Sequence, residues 1–546
     1  MRWLPTIAAA LAAMSPLFSH VHADDKFRPP SVPLVVHDPY FSVWSNADRL
    51  TDDATRHWTL APQPLVGLIR VDGKTYRVLG DEPKDIPALP QVGLEITATK
   101  TTARFEDAEV EASLSFLTPA LPADLDLMAR PVTYVNWGAR SKDGKAHKAS
   151  VFFGASGLLT VHEPGQMVGW AREKFGDIRA LKLGTVEQAR LERRGDFTRI
   201  DWGHLYLATS FGRDQLAIGS QEALVDAFRK GGKLPEQDDV GPRMAGDRPA
   251  MLAAVVEMPE LDAEGVRGRG ARLLLAYDDD VAINSMDEPL KAYWKRSGAT
   301  IGDALQAASK DGREIAERCS EFDKDLAAML EKVGGKRYAT LCALAHRQSL
   351  AGSKLVADSK GYPLWFPKEN TSNGCIATVD VLYPQFPHLL RLDPRGTAKA
   401  TRRAGPAYSA SRRWKFPFAP HDLGTYPAAT GQVYGGGERT EENPDAGRGG
   451  GNSASRRSPG WTATPITRRG FWPQLTQWAN SPRTRRVRPG NRSAPATSPA
   501  HLARNANLSI KATWAWPATA SSPACGATPP PPKNTKKWPA RWPASG

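Results

Sequence analysis

The chain has 546 residues and a formal net charge of +14, and it is long enough for two or three domains with sizeable cores. Residues 394–546 carry 24 Lys and Arg against 5 Asp and Glu, whereas residues 1–393 carry 48 against 53. The main body is therefore mildly acidic, so the net charge does not indicate a nucleic-acid-binding protein.

The first residues have the pattern of a secretory signal. Arg2 precedes an apolar run at about residues 4–18, and small residues then suit cleavage before Asp24. The run is too short for a stable membrane span. We therefore expect residues 1–23 to be removed, leaving a secreted or periplasmic protein without membrane contact.

The next region, residues 24–287, has strand-like patterning. Apolar and polar side chains alternate over residues 110–116, VEASLSF, as in a strand with one buried face. The pair Asp72-Gly73 joins two β-prone runs and tolerates the positive φ of a tight turn. Many short strands without long intervening helices predict an antiparallel β-sandwich.

The apolar period then becomes helical. Apolar residues recur every three or four positions over residues 315–333, and Gly334-Gly335 is expected to end that helix. A second helix follows, with Tyr338 and Leu341 on its predicted apolar side. Two antiparallel helices with a short turn form an αα-hairpin, which begins an all-α domain.

A first polar motif is FPKENTSNGCIATVDVLYP, residues 366–384. It places Glu369, Asn373 and Asp380 on a loop that is expected to lead into a short extended segment. These side chains either recognise a polar substrate or cap turns and satisfy backbone groups. Cys375 is either an amidase nucleophile or a small buried hydrophobe.

A second polar motif is FPFAPHDLGTYP, residues 416–427. His421 and Asp422 are adjacent in it, and adjacent residues rarely face each other, so they do not by themselves form an acid–base dyad. A rigid loop could still present both groups to a substrate or a water. The alternative is a structural loop whose histidine caps a helix.

Cysteines and metal-binding motifs are sparse. Four cysteines are too few for a disulfide framework, and both a Cys319–Cys342 bridge and buried free thiols remain open. The acidic run at residues 278–280 lacks the spaced oxygen ligands of a calcium loop. We expect no metal and no cofactor.

Residues 428–546 form a basic tail, with no acidic residue after Asp445. Stretches rich in Arg, Pro and Ser alternate with islands of helix-like spacing, which is typical of a coding region read partly out of frame. A basic nucleic-acid-binding arm and a low-complexity linker are the alternatives. We expect most of this tail to be disordered.

Several blocks in one order resemble the secreted glutaminase A family: RPPSVPLVVHDPYFSVW, EPLKAYWKR, KENTSNGCIATVDVLYP, KFPFAPHDLGTYP and the island HLARNANLSIKA. The resemblance is continuous over about residues 28–393 and patchy beyond. It implies a β-sandwich followed by an (α/α)6 barrel of six helical hairpins, and hydrolysis of L-glutamine to L-glutamate and ammonia. After GQVYGG the family continues with helices that carry paired carboxylates, which this sequence lacks, so the barrel is expected to be incomplete.

For the amide hydrolysis that the resemblance implies, the polar motifs supply candidate residues. Glu369 and Asp380 are candidates for acid–base or water-orienting work, and His421 and Asp422 would complete the pocket. The residues expected to bind the substrate are Asn373, Tyr426, Asn505 and Asn507.

The sequence therefore predicts a β-then-α multidomain protein. A signal peptide (1–23) precedes a β-sandwich (24–287), the first part of an α/α barrel (288–427) and the tail (428–546). The predicted function is a glutaminase-type amidohydrolase for a small polar amide, impaired in this chain, without a nucleic-acid partner. The alternatives are a six-hairpin glycoside hydrolase and a non-catalytic exported β-sandwich module.

Overall fold

The computed structural model describes residues 28–261, 271–393, 396, 400, 404–411, 413–414 and 420–433. The predicted signal peptide, Asn505, Asn507 and most of the basic tail lie outside these residues, so the predictions for them stay predictions.

Short strands make up the chain as far as Leu290. They are β1 (Val32–Val36), β2 (Ser42–Ser45), β3 (Arg56–His57), β4 (Leu65–Val71), β5 (Lys74–Leu79), β6 (Gln91–Ile96), β7 (Lys100–Glu106), β8 (Val110–Leu117), β9 (Val132–Ser141), β10 (Ala149–Ser156), β11 (Met167–Phe175), β12 (Ile178–Thr185), β13 (His204–Thr209), β14 (Gln215–Ser220), β15 (Arg243–Met244), β16 (Ala250–Glu257), β17 (Arg272–Asp278), β18 (Ile283–Ser285) and β19 (Glu288–Leu290).

Two antiparallel sheets pack face to face, as the alternating patterns predict. One has the strand order β14-β16-β10-β4-β5, and the other has the order β15-β11-β12-β13-β17-β9-β8-β7-β6. Phe153 of the smaller sheet and Phe116 of the larger one belong to the same buried core. The turn between β4 and β5 has positive φ at Asp72 (45°) and Gly73 (91°), which confirms the predicted hairpin.

The helices are α1 (Leu125–Ala129), α2 (Gln221–Gly231), α3 (Ile301–Ala351), α4 (Val379–Leu392) and α5 (Ala404–Ala410). Helix α2 covers the outer face of the smaller sheet, where Phe228 packs on Phe152 with ring centroids 5.5 Å apart. The first arm of α3 covers the larger sheet, where Leu305 is buried in one cluster with Leu274. The sandwich therefore supports the helical region directly.

Helix α3 is a hairpin broken at Gly335, where φ is 77° and ψ is 179°. The rings of Phe322 and His346 lie 5.6 Å apart, whereas 24 residues of straight helix would separate them by roughly 36 Å. The predicted αα-hairpin is thus confirmed. The predicted apolar side of its second arm was wrong: Tyr338 and Leu341 are 41% and 53% exposed, because a neighbouring stripe of small and apolar residues packs inward instead.

Further along, β20 (Ser353–Ala357) pairs with β21 (Pro363–Pro367), and β22 (Ala428–Ala429) pairs in parallel with β18. The expected extended segment after the first polar motif is instead helix α4. It buries Phe386 and Leu389 in a cluster with Trp365, so tertiary packing outweighs the β-branched residues and two prolines of this stretch. Strand β22 lies within the segment that was assigned to the tail.

The three cysteines of the described region, Cys319, Cys342 and Cys375, are free thiols, so the Cys319–Cys342 bridge does not form. Within that same region, no helix is both long and apolar enough to cross a membrane.

A buried ion triad joins β20 to the sandwich. The ammonium of Lys354 lies 2.6 Å from Oδ2 of Asp38 and 2.6 Å from Oδ2 of Asp279. Burial raises the pKa of Asp38, but Lys354 and the backbone N–H groups of Phe41 and Tyr40 outweigh it and bring the pKa below its ordinary value. Burial raises the pKa of Asp279, while the two carboxylates outweigh burial and raise the pKa of Lys354.

We expect Lys354→Met to destabilise the fold by roughly 3–5 kcal/mol, because it leaves two buried carboxylates without a counter-ion. The measurement is the free energy of unfolding in guanidinium chloride near neutral pH, with Lys360→Met in the exposed β20–β21 turn as the matched control. A Lys354→Met protein as stable as the control would show that the triad does not hold β20 in place.

A second charged cluster lies at one end of the sandwich. The ring of His147 contacts Oδ2 of Asp72 through Nδ1 at 2.7 Å and Oδ1 of Asp143 through Nε2 at 2.9 Å. Hydrogen bonds to these carboxylates raise the pKa of His147. A raised folded-state pKa contributes stability below the unfolded value of about 6.5, and this stability is lost as pH rises through the folded value.

We therefore expect the melting temperature to fall as pH rises from about 6.5 through the raised pKa of His147. In His147→Gln this part of the pH dependence should disappear, since the amide does not titrate. Differential scanning calorimetry across this range measures both proteins. An equally steep fall in His147→Gln would assign the effect to another group.

Candidate functional site

The two polar motifs, which begin about fifty residues apart in the sequence, pair directly through their backbones. The N–H of Ile376 donates to Gly424 O at 2.9 Å, the N–H of Leu423 donates to Ile376 O at 2.9 Å, and the N–H of Tyr426 donates to Gly374 O at 2.9 Å. On the other side of the same segment, the N–H of Ala377 donates to Pro367 O at 2.7 Å. Of the sequence-predicted site residues, Glu369, Asn373, His421, Asp422 and Tyr426 are thereby brought together in or next to these paired segments.

The first motif carries unusual backbone conformations. Thr371 and Ala377 have φ values of 59° and 55°, and Gly374 has a φ of 72°. Positive φ at a β-branched residue is strained, and such strain persists where the surroundings impose it, often at binding and catalytic sites. This strained turn is therefore a candidate functional site.

The β-sandwich supplies the floor of this turn through a loop at Gly195 and Asp196. Oδ1 of Asp196 accepts the N–H of Thr371 at 2.8 Å and faces Nζ of Lys368 at 3.2 Å. A Cβ on Gly374 would lie 2.5 Å from the backbone of Gly195 and Asp196. Glycine is required there because of both its positive φ and this close approach.

Lys368 is a residue that sequence reasoning missed. Its side chain is 0% exposed, its ammonium lies 4.8 Å from the centroid of the Trp58 ring, and burial lowers its pKa despite the ion pair with Asp196. The available signal was a lysine that directly follows the aromatic and apolar stretch at residues 363–367. Its partner Asp196 is about 170 residues away in the sequence and could not be recognised.

His421 and Asp422 do face each other, contrary to the expectation for adjacent residues. Nδ1 of His421 lies 3.1 Å from Oδ2 of Asp422, while Oδ1 accepts the N–H groups of Gly424 and Val433, each at 2.9 Å. The turn that these bonds close brings the two side chains together. Asp422 is fully buried. One of its oxygens holds the loop through two backbone N–H groups, and the other contacts His421.

Glu369 has one oxygen held and one unheld. The hydroxyl of Ser372 donates to Oε1 at 2.8 Å, whereas Oε2 is buried and makes no hydrogen bond. The neighbouring Oδ1 of Asn370 is also buried without a partner. By contrast, Oδ1 of Asn373 accepts the N–H of Cys375 at 2.9 Å, which is the turn-capping alternative for that side chain.

Cys375 sits among these charges as a buried thiol. Burial raises its pKa, and the carboxylates of Asp422 and Glu369 raise it further. Because the thiolate is the nucleophilic form, this environment favours the buried-hydrophobe interpretation of Cys375 over the nucleophile.

The remaining candidate residues are either buried or lie partly or wholly outside the described structure. Tyr426 is fully buried with its ring centroid 5.1 Å from that of Tyr40, and burial raises its pKa. Asp380 lies in the first turn of α4, but its side chain is outside the described part of the structure. Asn505 and Asn507 are outside it as well, so their roles stay predictions.

An aromatic pair borders the site. The rings of Trp58 and Phe197 are stacked with centroids 6.1 Å apart, and Phe197 is 55% exposed. Phe197 follows the Asp196 that binds Lys368 and Thr371, so the pair lies beside the strained turn. In the residues that the structure describes, no group of three or more His, Cys, Asp or Glu could hold a metal ion.

Three family models match consecutive parts of the chain. Two are domains of unknown function, DUF4964 over residues 6–90 and DUF5127 over residues 99–329. The third is the glutaminase A six helical-hairpin domain, over residues 335–525, which contains both polar motifs.

Among curated proteins, the chain is similar to Glutaminase A of Aspergillus oryzae, with 28% identity over 451 residues that cover 78% of this chain and 63% of the relative. It is also similar to a protein named probable glutaminase from Arthroderma benhamiae, with 22% identity covering 75% of this chain and 50% of the relative. The chain thus spans less than two thirds of either relative's length.

A solved structure from the human microbiome that is named for kojibiose phosphorylase matches 60% of this chain at 9% identity, with a TM-score of 0.27. A likeness of that size supports no conclusion. The hairpin-domain match over residues 335–525 and the identity to Glutaminase A make the chain similar to the glutaminase A family, and the order of strands followed by a helical hairpin agrees with that similarity.

Proposed function

We propose that the chain is a secreted amidohydrolase of the glutaminase type, which converts L-glutamine and water to L-glutamate and ammonia. The observation that carries this proposal is the backbone pairing of the two polar motifs. The pairing places Glu369 and Asp422 near Cys375, and Asp196 of the sandwich binds the same turn through the N–H of Thr371. The names of the two fungal relatives support the same reaction. The signal pattern of residues 1–23 supports export.

Amide hydrolysis needs an activated water or nucleophile, a proton donor for the departing ammonia and donors for the oxyanion. We assign substrate contact to Glu369, whose Oε2 is without a partner. His421 is the proposed proton carrier, and its contact with Asp422 favours the tautomer with the proton on Nδ1. Asp380 stays a candidate for acid–base or water-orienting work, and the impairment expected from the tail stays a prediction.

A glycoside hydrolase is the second candidate, and the aromatic pair favours it. Exposed Phe197 stacked on Trp58 is the kind of surface on which a sugar ring packs. The two candidates differ in product, because one releases ammonia from an amide and the other releases a reducing sugar. A parallel screen of L-glutamine and of simple disaccharides therefore separates them.

We expect the full chain to release ammonia from L-glutamine and Glu369→Gln to lower kcat/KM by roughly 10- to 100-fold, since it removes a charged contact to the substrate. The matched control is Glu331→Gln on an exposed position of α3, which should match the wild type. Release of sugar but not of ammonia by the wild type would favour the second candidate and contradict the first.

A further inference from the structure

Two consecutive side chains at the site present acceptors without donors. Oε2 of Glu369 and Oδ1 of Asn370 are both buried and make no hydrogen bond. An ionised carboxylate oxygen and an amide oxygen accept hydrogen bonds but cannot donate them. Since a buried acceptor without a donor is costly, each of the two oxygens fits a ligand group that donates.

The charges around this position favour a cation. The carboxylate of Asp196 is paired with the ammonium of Lys368 at 3.2 Å, whereas Oε2 of Glu369 has no donor. Burial and the negative charges of Asp422 and Glu369 raise the pKa of the nearby Cys375 thiol. A neutral donor would satisfy the two acceptors but would leave the charge of Glu369 uncompensated.

The nearest cation in the sequence does not fill the position. Nζ of Lys368 is engaged by Oδ1 of Asp196 at 3.2 Å and by the backbone oxygen of Glu369 at 3.3 Å, with the Trp58 ring at 4.8 Å. Across the described residues, the side chain of Glu369 forms no ion pair. The turn at residues 371–373, which directly follows Asn370, is exposed.

We infer that Glu369 and Asn370 bind the α-ammonium group of the amino-acid substrate, and that these two residues thereby select substrates in which this group is free. An ammonium carries three donors and one positive charge, which matches two acceptors in a negative environment. A hard metal ion would need more oxygen ligands than this pair supplies. The inference rests on the proposed amide hydrolysis and specifies how its substrate is selected.

This assignment makes Glu369 a residue that determines specificity rather than one that transfers a proton. The two roles differ in a measurable way. A proton-transfer residue acts on every amide that is hydrolysed, whereas an ammonium-binding residue matters only for substrates that carry the ammonium. The des-amino analogue of glutamine, glutaramate (5-amino-5-oxopentanoate), keeps the reacting amide and the carboxylate and lacks only that group.

The experiment compares kcat/KM for ammonia release from L-glutamine and from glutaramate, using the full chain. We expect the wild type to prefer glutamine by roughly 10- to 100-fold, the range of a charged hydrogen bond. Glu369→Gln should lose most of its rate with glutamine and change little with glutaramate, so that the preference nearly vanishes. Glu331→Gln should keep the wild-type preference.

Asn370→Leu is a second variant, with a similar side-chain volume and no acceptor, and it should show a smaller loss that is again confined to glutamine. It decides the question where Glu369→Gln does not fold, as judged by circular dichroism. Equal losses with both substrates would overturn the inference and leave the proposed function standing. No ammonia from either substrate with the wild type would overturn both.

Discussion

The buried Lys354 ammonium between Asp38 and Asp279 is the interaction from which the candidate site is built. It fixes β20 on the sandwich, and β20 sets the position of β21 through their antiparallel pairing. Strand β21 ends at Pro367, within the first two residues of the first polar motif. Buried ion pairs of this kind contribute little net stability, but removing one partner is costly, so their effect is to define one arrangement.

A second buried pair repeats the same principle closer to the site. Lys368 and Asp196 join the strained turn to the sandwich loop, and Asp196 also accepts a backbone N–H from that turn. With Asp422 closing the loop of the second motif, the buried charges around the site have partners inside the protein. The carboxylate of Glu369 is the exception, because its Oε2 remains buried without a donor. Glu369 is therefore the carboxylate that can bind a ligand, whereas Asp196 and Asp422 hold the site together.

The sequence was sufficient for features that are set locally. The period-two alternation of β8, the turn at Asp72-Gly73 and the helix break at Gly335 each follow from residue patterns or from glycine conformation, and each is present. The structure was needed where long-range packing decides the outcome. Helix α4 forms despite its β-branched residues because Phe386 and Leu389 find a core.

The composition of the site shows the same division. Glu369, His421 and Asp422 were candidates from their motifs alone, and the structure places all three in the paired segments. The contribution of the sandwich could not be predicted, since the pairing of Lys368 with Asp196 joins residues far apart in the sequence. The different roles of the carboxylates could not be predicted either, because they depend on which oxygen atoms already have hydrogen-bond donors in the folded protein.

The most direct measurement of the central claim is a crystal structure of the full chain with L-glutamate, the product of the proposed reaction. We expect the bound product to lie at the turn between β21 and α4, with its α-ammonium within hydrogen-bonding distance of Oε2 of Glu369 and Oδ1 of Asn370. A product that binds at this turn with its ammonium directed away from Glu369, or that binds elsewhere on the chain, would contradict the account.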